Sequence, residues 1–424
     1  MTLGLTVKPG AVAVVSHTMP QDCNGQAVML ERFARLTPSA GHPPGLFFID
    51  TARKAMRRTE LRGGLPVQPV RTPWLFRRLG RYAETHRWLF PRMVQQRAAA
   101  VAAIVRRWQA AAIVGCTGGD LIDVPAAIEA GRLTGVPTFL YYFDDYAVQW
   151  RIALGRWSAA AVARFSAAVE QKALRQAAGV IVPNETLAAD VGQRTHAPLA
   201  VVRNPVDLPQ YTALRSRFPR PSIDRSKPLQ IVYTGSVYSA QADSIRRCCD
   251  ALTAAASRGV QGELHVYGPP PDREIRESLA RAPISWHPPA SQQEAATVQV
   301  QADMLFLPLS FTCDYPELIR SSAPGKFGEY LASGTPMIVH APDDSFPTTF
   351  AKRHACAAVC STPTAAALAE TIATVADTPG LRERLGRAAV AVAADFSLQL
   401  NGRRFVRFLQ GQTVHRAEPL AACG

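Results

Sequence analysis

Short apolar runs alternate with longer helical stretches along almost the whole chain, and they do so in two series. Such runs, bounded by turn residues, are typical of strands buried on both faces of a parallel sheet. In the first series they lie at 11–17, 46–50, 111–116, 137–143, 179–183 and 199–204. In the second series they lie at 229–235, 262–268, 283–287, 302–308, 335–340 and 356–360. The sequence therefore predicts an α/β protein with two Rossmann-like, doubly wound domains.

The two series are separated by a segment rich in Pro, Ser and Arg, which predicts a linker over residues 209–228. The first domain is then expected over 1–208 and the second over 229–395. For the remaining residues, 396–424, we expect a C-terminal helix that packs back on the body of the protein. The phenylalanines available for this packing are Phe396, Phe405 and Phe408.

Composition disfavours several classes of protein. The chain of 424 residues is 47% hydrophobic and has no run of about 18 apolar residues, so a transmembrane helix is not expected. Residues 1–17 hold a short apolar run without a basic leading segment and cleavage site, which favours a first strand over a signal peptide. The eight cysteines lack the spacing of a zinc site or a disulfide framework. We therefore expect a cytoplasmic protein without a metal.

The net charge of +14 is concentrated in one window, residues 53–108. This window has 14 Lys and Arg residues against Glu60 and Glu84. The aromatic residues interleaved with them are Trp74, Phe76, Trp88, Phe90 and Trp108. Such a segment can contact an anionic membrane, which would place the protein peripherally on the inner face of that membrane. The alternative is a pair of core-packed helices with solvated Arg side chains. A nucleic-acid partner is not expected, because no binding motif for it occurs.

Residues 321–340 contain the pattern with the most specific chemistry. A turn ends at Gly325, an amphipathic helix is predicted from Lys326, and Gly334 is placed to cap the C-terminus of that helix. Lys326 and Glu329 lie three residues apart and so share a helix face. The helix N-terminus and the Lys326 charge suit a phosphate, while Glu329 can accept hydrogen bonds from ribose hydroxyls. The alternative is an ordinary surface helix with an i,i+3 ion pair.

Loops at the carboxyl ends of the predicted strands carry further candidates, because ligands of doubly wound sheets bind there. These candidates are His17, Gly25, Gln26, Gly235, Ser236, Tyr267 and Gly268. His17 is either a polar loop residue or a contact to a ligand. None of these loops has the GxGxxG or P-loop pattern, so nicotinamide chemistry and P-loop NTPase chemistry are disfavoured.

Two adjacent carboxylates, Asp144 and Asp145, follow the apolar run at 137–143. They can cap the next helix, or one of them can orient or deprotonate a hydroxyl. In the junction at 115–123, Asp120 is expected to be an N-cap rather than a catalyst.

Five segments, in order along nearly the whole chain, resemble the retaining nucleotide-sugar glycosyltransferases of the GT-B architecture, in particular the family 4-like group. The segments are VVSHTMPQDCNGQA at 14–27, AAGVIVPNETLAADV at 177–191, VVRNPVD at 201–207, IVYTGS at 231–236 and PGKFGEYLASGTPMIVH at 324–340. The last one is similar to the family's donor motif P-x-K-x-x-E-Y-L-A-x-G-x-P. The resemblance implies two Rossmann-like domains that face a cleft, with the acceptor bound by the first and the nucleotide sugar by the second.

The resemblance also implies roles for individual residues. Lys326 would contact the donor diphosphate, and Glu329 would contact the ribose hydroxyls. The other donor-binding residues would be Gly235, Ser236, Tyr267 and Gly268. The acceptor loop would include Gly25 and Gln26, and the catalytic residues would be Asp144, Asp145 and His17.

The implied activity is transfer of a sugar from a nucleoside diphosphate to a glycan or a lipid-linked acceptor, with retention of the anomeric configuration. The resemblance implies no cofactor and no metal, because a helix dipole and a lysine can stabilise the leaving diphosphate. Three departures stand against the family pattern: Ser321 replaces a usual Glu, residues 236–243 lack the Arg and Lys of many members, and residues 203–207 lack a Gly. Two other functions stay open, a sugar-nucleotide 2-epimerase and a non-catalytic protein that binds a nucleotide sugar.

Overall fold

The computed structural model divides into two compact units, residues 1–203 with 398–424 and residues 204–397. The residues that it describes are 10–20, 25–35, 45–52, 60–61, 65–72, 74–79, 84, 86, 88–154, 159–219, 223, 226–256, 259 and 261–411.

The first unit is built on a sheet in the order β3-β4-β2-β1-β5-β6-β7-β8, parallel except where β3 pairs with β4. Its strands are β1 Val12–Ser16, β2 Leu46–Asp50, β3 Glu60–Leu61, β4 Leu65–Pro69, β5 Ala112–Cys116, β6 Thr138–Tyr141, β7 Gly179–Val182 and β8 Leu199–Val201. Val12 pairs with Leu46 on one side and with Ala112 on the other, which fixes the register of the three central strands. The strand order reverses direction between β1 and β5, so the switch point of this sheet lies there.

The helices of the first unit cover both faces of its sheet. They are α1 Gly25–Arg35, α2 Trp74–Leu79, α3 Leu89–Arg107, α4 Asp123–Thr134, α5 Tyr146–Leu154, α6 Ala159–Gln176, α7 Glu185–Gly192 and the C-terminal helix α17 Leu398–Leu409. On one face, Phe405 of α17 stacks on Phe33 of α1, with ring centres 5.0 Å apart. Phe408 lies so close to Gly179 that a Cβ there would be 2.5 Å from its ring. The C-terminal helix is therefore part of the first unit's core.

The basic window, residues 53–108, contains β3, β4, α2 and α3 in its described part. Phe76 and Phe90 are buried, as expected of core-packed helices. Trp74 and Trp88, in contrast, are each 64% exposed. The core-packing interpretation thus describes Phe76 and Phe90, and the membrane contact stays a prediction. The two strands were not predicted, because each is short and lies among charges and turn residues.

The second unit has a six-stranded, all-parallel sheet in the order β11-β10-β9-β12-β13-β14. Its strands are β9 Leu229–Thr234, β10 Gly262–Tyr267, β11 Ile284–His287, β12 Met304–Pro308, β13 Met337–His340 and β14 Ala358–Cys360. Its helices are α8 Leu208–Arg217, α9 Ala242–Ala256, α10 Arg273–Ser278, α11 Gln292–Gln301, α12 Pro316–Arg320, α13 Gly325–Ser333, α14 Phe346–His354, α15 Ala365–Asp377 and α16 Leu381–Ala393, with a 3-10 turn at Ala394–Phe396. The switch point of this sheet lies between β9 and β12. The predicted fold class, α/β with two Rossmann-like domains, is confirmed.

The boundary between the units differs from the one expected at residue 208. The division falls between Arg203 and Asn204, and much of the expected linker, 209–228, is the helix α8. Pro209 is the reason: it resembles a helix breaker in the sequence, but it occupies the first turn, where a proline is tolerated. Tyr211 of α8 is buried. The second unit therefore begins before the expected linker.

Among the described residues, no helix is both long enough and apolar enough to cross a bilayer.

We expect Phe405→Ala to destabilise the first unit, because it removes a buried ring that stacks on Phe33. The expected loss is about 3–5 kcal/mol in the free energy of unfolding, as for other buried Phe→Ala changes. Chemical denaturation followed by circular dichroism measures it. Arg403→Ala, at an exposed position of the same helix, is the control and should change little. Equal effects of the two changes would show that α17 is not part of this core.

Candidate functional site

Predicted donor-binding residues of the second unit meet at the carboxyl edge of its sheet. Gly235 follows β9 with φ 141°, a conformation that glycine adopts readily and other residues rarely do. Gly268 follows the neighbouring strand, β10. A Cβ on Gly268 would lie 2.2 Å from the carbonyl oxygen of Gly235, and the Gly235 N–H donates to the carbonyl of Tyr267 at 2.8 Å. The lack of side chains on both glycines thus lets the backbones of Gly235 and Gly268 pack closely at this edge.

Lys326, in the first turn of α13, reaches Gly235. A Cβ on Gly235 would lie 2.8 Å from Lys326 Nζ. The ammonium donates to the Tyr233 hydroxyl at 3.2 Å and lies 4.7 Å from the centre of the Tyr233 ring. Burial raises the pKa of Tyr233, so its O–H stays protonated and donates to the Ser236 carbonyl at 2.8 Å. Lys326 makes no ion pair with any residue that the structure describes. The i,i+3 ion pair with Glu329, the alternative interpretation of this helix, therefore does not form.

Glu329 is oriented by a different set of contacts. Its Oε2 accepts from the buried amide of Gln299 at 3.2 Å. The same Gln299 amide donates to Thr234 Oγ1 at 2.9 Å, while its Oε1 accepts from the Tyr211 hydroxyl at 2.7 Å. The Thr234 N–H in turn donates to the Tyr330 hydroxyl at 2.9 Å. Sequence reasoning missed this network, because a lone Gln in a helix gives no signal of its own.

The helix α13 itself matches the sequence pattern. It begins at Gly325, and its N-cap, Pro324, supplies no side-chain hydrogen bond, so no capping side chain occupies its N-terminal N–H groups. It ends at Gly334 in the left-handed conformation, φ 67°, as predicted from the Gly334–Pro336 pattern. Ser321, the departure from the family pattern, is buried and donates its hydroxyl to the Glu317 carbonyl at 2.9 Å. It therefore serves the end of the preceding helix.

Tyr267, the remaining predicted donor-binding residue, stacks on His287 with ring centres 4.2 Å apart and planes 10° from parallel. His287 also lies against His265, with Nε2 and Nδ1 3.1 Å apart. Burial, and then the nearby His265, lower the pKa of His287, so this imidazole is neutral near pH 7. The pair forms a flat, uncharged surface beside Gly268.

In the first unit, residues His17 and Gln26 meet the loop that follows β5, at the switch point. A Cβ on Gly118 would lie 2.1 Å from the Gln26 amide nitrogen, and one on Gly119 would lie 2.5 Å from the His17 Cβ. Both side chains therefore rest on a glycine pair. The Nδ1 atom of His17 is buried and has no hydrogen-bond partner among the described residues. Gly25, in contrast, is exposed with no atom within 4 Å of its Cβ position; it begins α1 and contributes no contact to this group.

The adjacent carboxylates Asp144 and Asp145 have different environments. Asp145 is buried; its Oδ1 accepts from the N–H of Ala147 at 2.8 Å, which caps α5, and its Oδ2 pairs with Arg194 at 2.6 Å. Asp144 is half-buried, and its carboxylate accepts no hydrogen bond from the residues described. Burial, and then the neighbouring Asp145 charge, raise the pKa of Asp144 to about 6. The capping alternative therefore describes Asp145, whereas the Asp144 carboxylate has no partner among the described residues.

A buried ion network lies beside this group and was not predicted. Arg97 Nη1 contacts Asp123 Oδ1 at 2.5 Å and Asp120 Oδ2 at 3.2 Å. Asp120 is thus an ion-pair partner and not the N-cap of α4 expected from the sequence; the N-cap is Ile122. Burial raises the pKa of Asp123, against the opposing effect of Arg97. The pairing could not be read from the sequence because Arg97 and Asp120 lie 23 residues apart on separate elements.

The described residues contain no group of three or more His, Cys, Asp or Glu side chains arranged to hold a metal ion.

Comparison of the chain with known proteins defines its class by fold. Sucrose-phosphate synthase from Thermosynechococcus elongatus superimposes with a TM-score of 0.67 at 14% identity, over 95% of this chain and 98% of that one. The UDP-forming trehalose-phosphate synthase of Burkholderia xenovorans, in complex with glucose-6-phosphate, gives 0.66 at 14% identity, over 95% and 100%. HepE of Anabaena, in complex with UDP-glucose, gives 0.66 at 12% identity, over 95% and 99%. The chain has the GT-B fold of these glycosyltransferases, and the resemblance seen in its motifs is confirmed at the level of fold.

No protein-family model matches the chain, and no curated protein sequence matches it either.

The raised pKa of Asp144 predicts a pH-dependent effect on stability. An acid whose folded pKa lies above its unfolded value stabilises the fold at low pH, and this contribution is lost as the pH rises through about 6. Asp144→Asn should therefore raise Tm relative to the wild type above pH 6 and have no such effect below pH 4, near the unfolded pKa of Asp. Thermal denaturation across this range measures it.

Asp145→Asn is the matched control, because it weakens a cap and an ion pair. It should lower Tm at neutral pH. If Asp144→Asn lowered Tm in the same way, Asp144 would be a structural carboxylate with satisfied hydrogen bonds.

Proposed function

We propose that this protein is a glycosyltransferase that moves a sugar from a nucleoside diphosphate to a glycan or a lipid-linked acceptor, with retention of the anomeric configuration. One observation supports this most directly: an ammonium without an ion-pair partner in the described chain, Lys326, lies over the bare backbone of Gly235. A cation, a helix N-terminus and an open glycine backbone together suit a diphosphate. HepE, which shares the fold, binds UDP and UDP-glucose.

In the proposed donor site, the phosphates lie at Gly235 and Ser236, where Lys326 supplies the positive charge. Glu329, held by Gln299, accepts from the ribose hydroxyls. The neutral pair of Tyr267 and His287, next to Gly268, lies where the nucleotide edge passes.

The chemistry that follows is stabilisation of the leaving group. As the bond to the sugar breaks, negative charge grows on the diphosphate, and Lys326 and the N-terminus of α13 stabilise it. The donor phosphate itself takes the acceptor proton on the same face of the sugar, so the configuration is kept without a protein nucleophile. This path requires no metal.

The acceptor is proposed to bind at the first unit's switch point, at His17, Gln26 and Asp144. The buried, unpartnered Nδ1 of His17 and the unpaired carboxylate of Asp144 supply groups that can orient a hydroxyl. Asp145 supports Asp144 by anchoring α5.

The charge of Lys326 gives the sharpest test. Lys326→Ala should weaken binding of a nucleoside diphosphate about 10- to 100-fold, since hydrogen bonds to charged groups contribute roughly 1.5–3 kcal/mol. Titration calorimetry with UDP and GDP measures it, and uridine and guanosine, which lack the phosphates, should bind the variant and the wild type alike.

Lys352→Ala, which removes another lysine of the second unit, is the control and should leave nucleotide binding unchanged. Unchanged UDP and GDP affinity in Lys326→Ala would remove the donor-site assignment. Binding of a nucleotide sugar without transfer would favour the non-catalytic alternative, and formation of an epimer without acceptor would favour the epimerase.

The basic window supports a further part of the proposal, a peripheral contact with the cytoplasmic face of an anionic membrane. Trp74 and Trp88 expose 64% of their surface each. Arg71, Arg78 and Arg92, near them in the sequence, are exposed as well. Tryptophan prefers the membrane–water interface and arginine the anionic headgroups, so the two residue types together suit a lipid surface.

We expect the protein to sediment with vesicles containing phosphatidylglycerol at low salt and to be released as salt rises. The double change Trp74→Ala, Trp88→Ala should reduce this binding several-fold. Tyr238→Ala, which removes an exposed aromatic residue of the second unit, should not. Absence of vesicle binding at low salt would leave the window a purely structural feature.

A further inference from the structure

The first unit contains a cavity that none of the predicted site residues lines. Its volume is about 150 Å³. The apolar side chains around it are Val70, Phe76, Met93 and Ile122, and the polar ones are Arg71, Thr72, Gln96 and Arg97. An engineered protein cavity of about the same volume, ~150 Å³, holds benzene. This cavity therefore has room for one ring or a short branched alkyl group.

The cavity lies at the functional edge of the sheet. Val70 directly follows β4, and Ile122 caps the start of α4. The carboxyl ends of parallel strands share one edge, so the cavity belongs to the same edge as His17 and Asp144.

The charge of Arg97, on the cavity wall, is already neutralised. The residue is 4% exposed, and its guanidinium is held by Asp120 and Asp123. Its Nη2 donates to Thr72 Oγ1 at 2.8 Å. That oxygen accepts from Arg97, and the Thr72 hydroxyl can still donate its proton to a ligand.

Arg71 and Gln96 complete the polar side of the cavity. Both are exposed, and Arg71 makes no ion pair within the described part of the chain. The Gln96 amide makes no hydrogen bond to a described residue either. The polar side thus offers a cation and further donors, next to walls that are apolar.

We propose that this cavity binds an amphipathic anion, with a compact ring or branched alkyl group against Phe76 and Met93 and a phosphate or carboxylate at Arg71. The apolar walls exclude a ligand that is polar all round, and the Arg71 charge selects an anion over a neutral ligand of the same shape. The idea that this ligand is the sugar acceptor rests on the proposed function. The binding of an amphipathic anion to the cavity does not depend on it.

Binding is tested on the full chain with the Met93 methyl group as the reporter. Protein labelled with ¹³C at its methionine methyls is titrated with phenyl phosphate, benzyl alcohol and inorganic phosphate, and Met93→Leu identifies the signal. Phenyl phosphate should shift this signal saturably, benzyl alcohol should do so more weakly, and inorganic phosphate should leave it nearly unmoved.

A second set of samples distinguishes a lipid phosphate from a free one. Vesicles of phosphatidylcholine with phosphatidic acid are compared with vesicles of phosphatidylcholine alone. A Met93 change with the phosphatidic acid vesicles indicates a lipid source, and a change with phenyl phosphate only indicates a free one. If the Met93 signal changes neither with phenyl phosphate nor with the phosphatidic acid vesicles, the proposed site is overturned.

Arg71→Gln tests the anion. It should weaken phenyl phosphate binding roughly five- to tenfold, as expected for the loss of one charge-assisted contact at an exposed position, and leave benzyl alcohol binding unchanged. Arg78→Gln, an exposed arginine of the same window outside the cavity, is the matched control. Equal effects of the two changes would show a non-specific charge effect and overturn the anion assignment.

The outcome is separable from that of the donor site. Arg71→Gln should bind UDP with the wild-type affinity. Lys326→Ala should bind phenyl phosphate with the wild-type affinity. Failure of one site therefore leaves the other standing, and a transfer assay is required for neither.

Discussion

The contact between Lys326 and the backbone of Gly235 is the interaction on which the functional interpretation depends. An ammonium half-buried in a protein usually has a carboxylate beside it, because desolvation disfavours an unpaired charge. Here its described partners are a tyrosine hydroxyl and the face of the same ring. Both contacts are weaker than an ion pair, so they hold the cation in place without neutralising it. A site of this kind gains most from a ligand that brings its own negative charge.

The sequence predicted the parts of the fold that depend on local pattern. Twelve apolar runs correspond to the strands that the structure contains outside the basic window, since burial on both faces requires such runs. The bounds of α13 followed from a glycine and a proline with defined conformational roles. The boundary near Pro209 could not be located in this way, because the same residue is typical of a loop and of a first helical turn.

The parts of the candidate sites that depend on long-range contacts were out of reach of sequence reasoning. Gln299 orients Glu329 from a different helix. Arg97 precedes β5 in the sequence, and the carboxylates with which it pairs follow β5. Asp144 and Asp145 show the same limit at neighbouring positions. Both are aspartates. Asp145 has partners because it caps the following helix and pairs with Arg194, whereas the Asp144 carboxylate has no partner among the described residues.

The place of α17 in the first unit has a consequence for how the chain is assembled. Residues 204–397 form one continuous segment, whereas the other unit is closed by a helix that follows them in the sequence. During synthesis, the second unit therefore has all its residues available before Phe405 and Phe408 of the first unit are made. A gene fragment ending at residue 203 would lack a wall of its own interior. One encoding 204–397 carries every strand of its sheet, which makes it the fragment to express by itself.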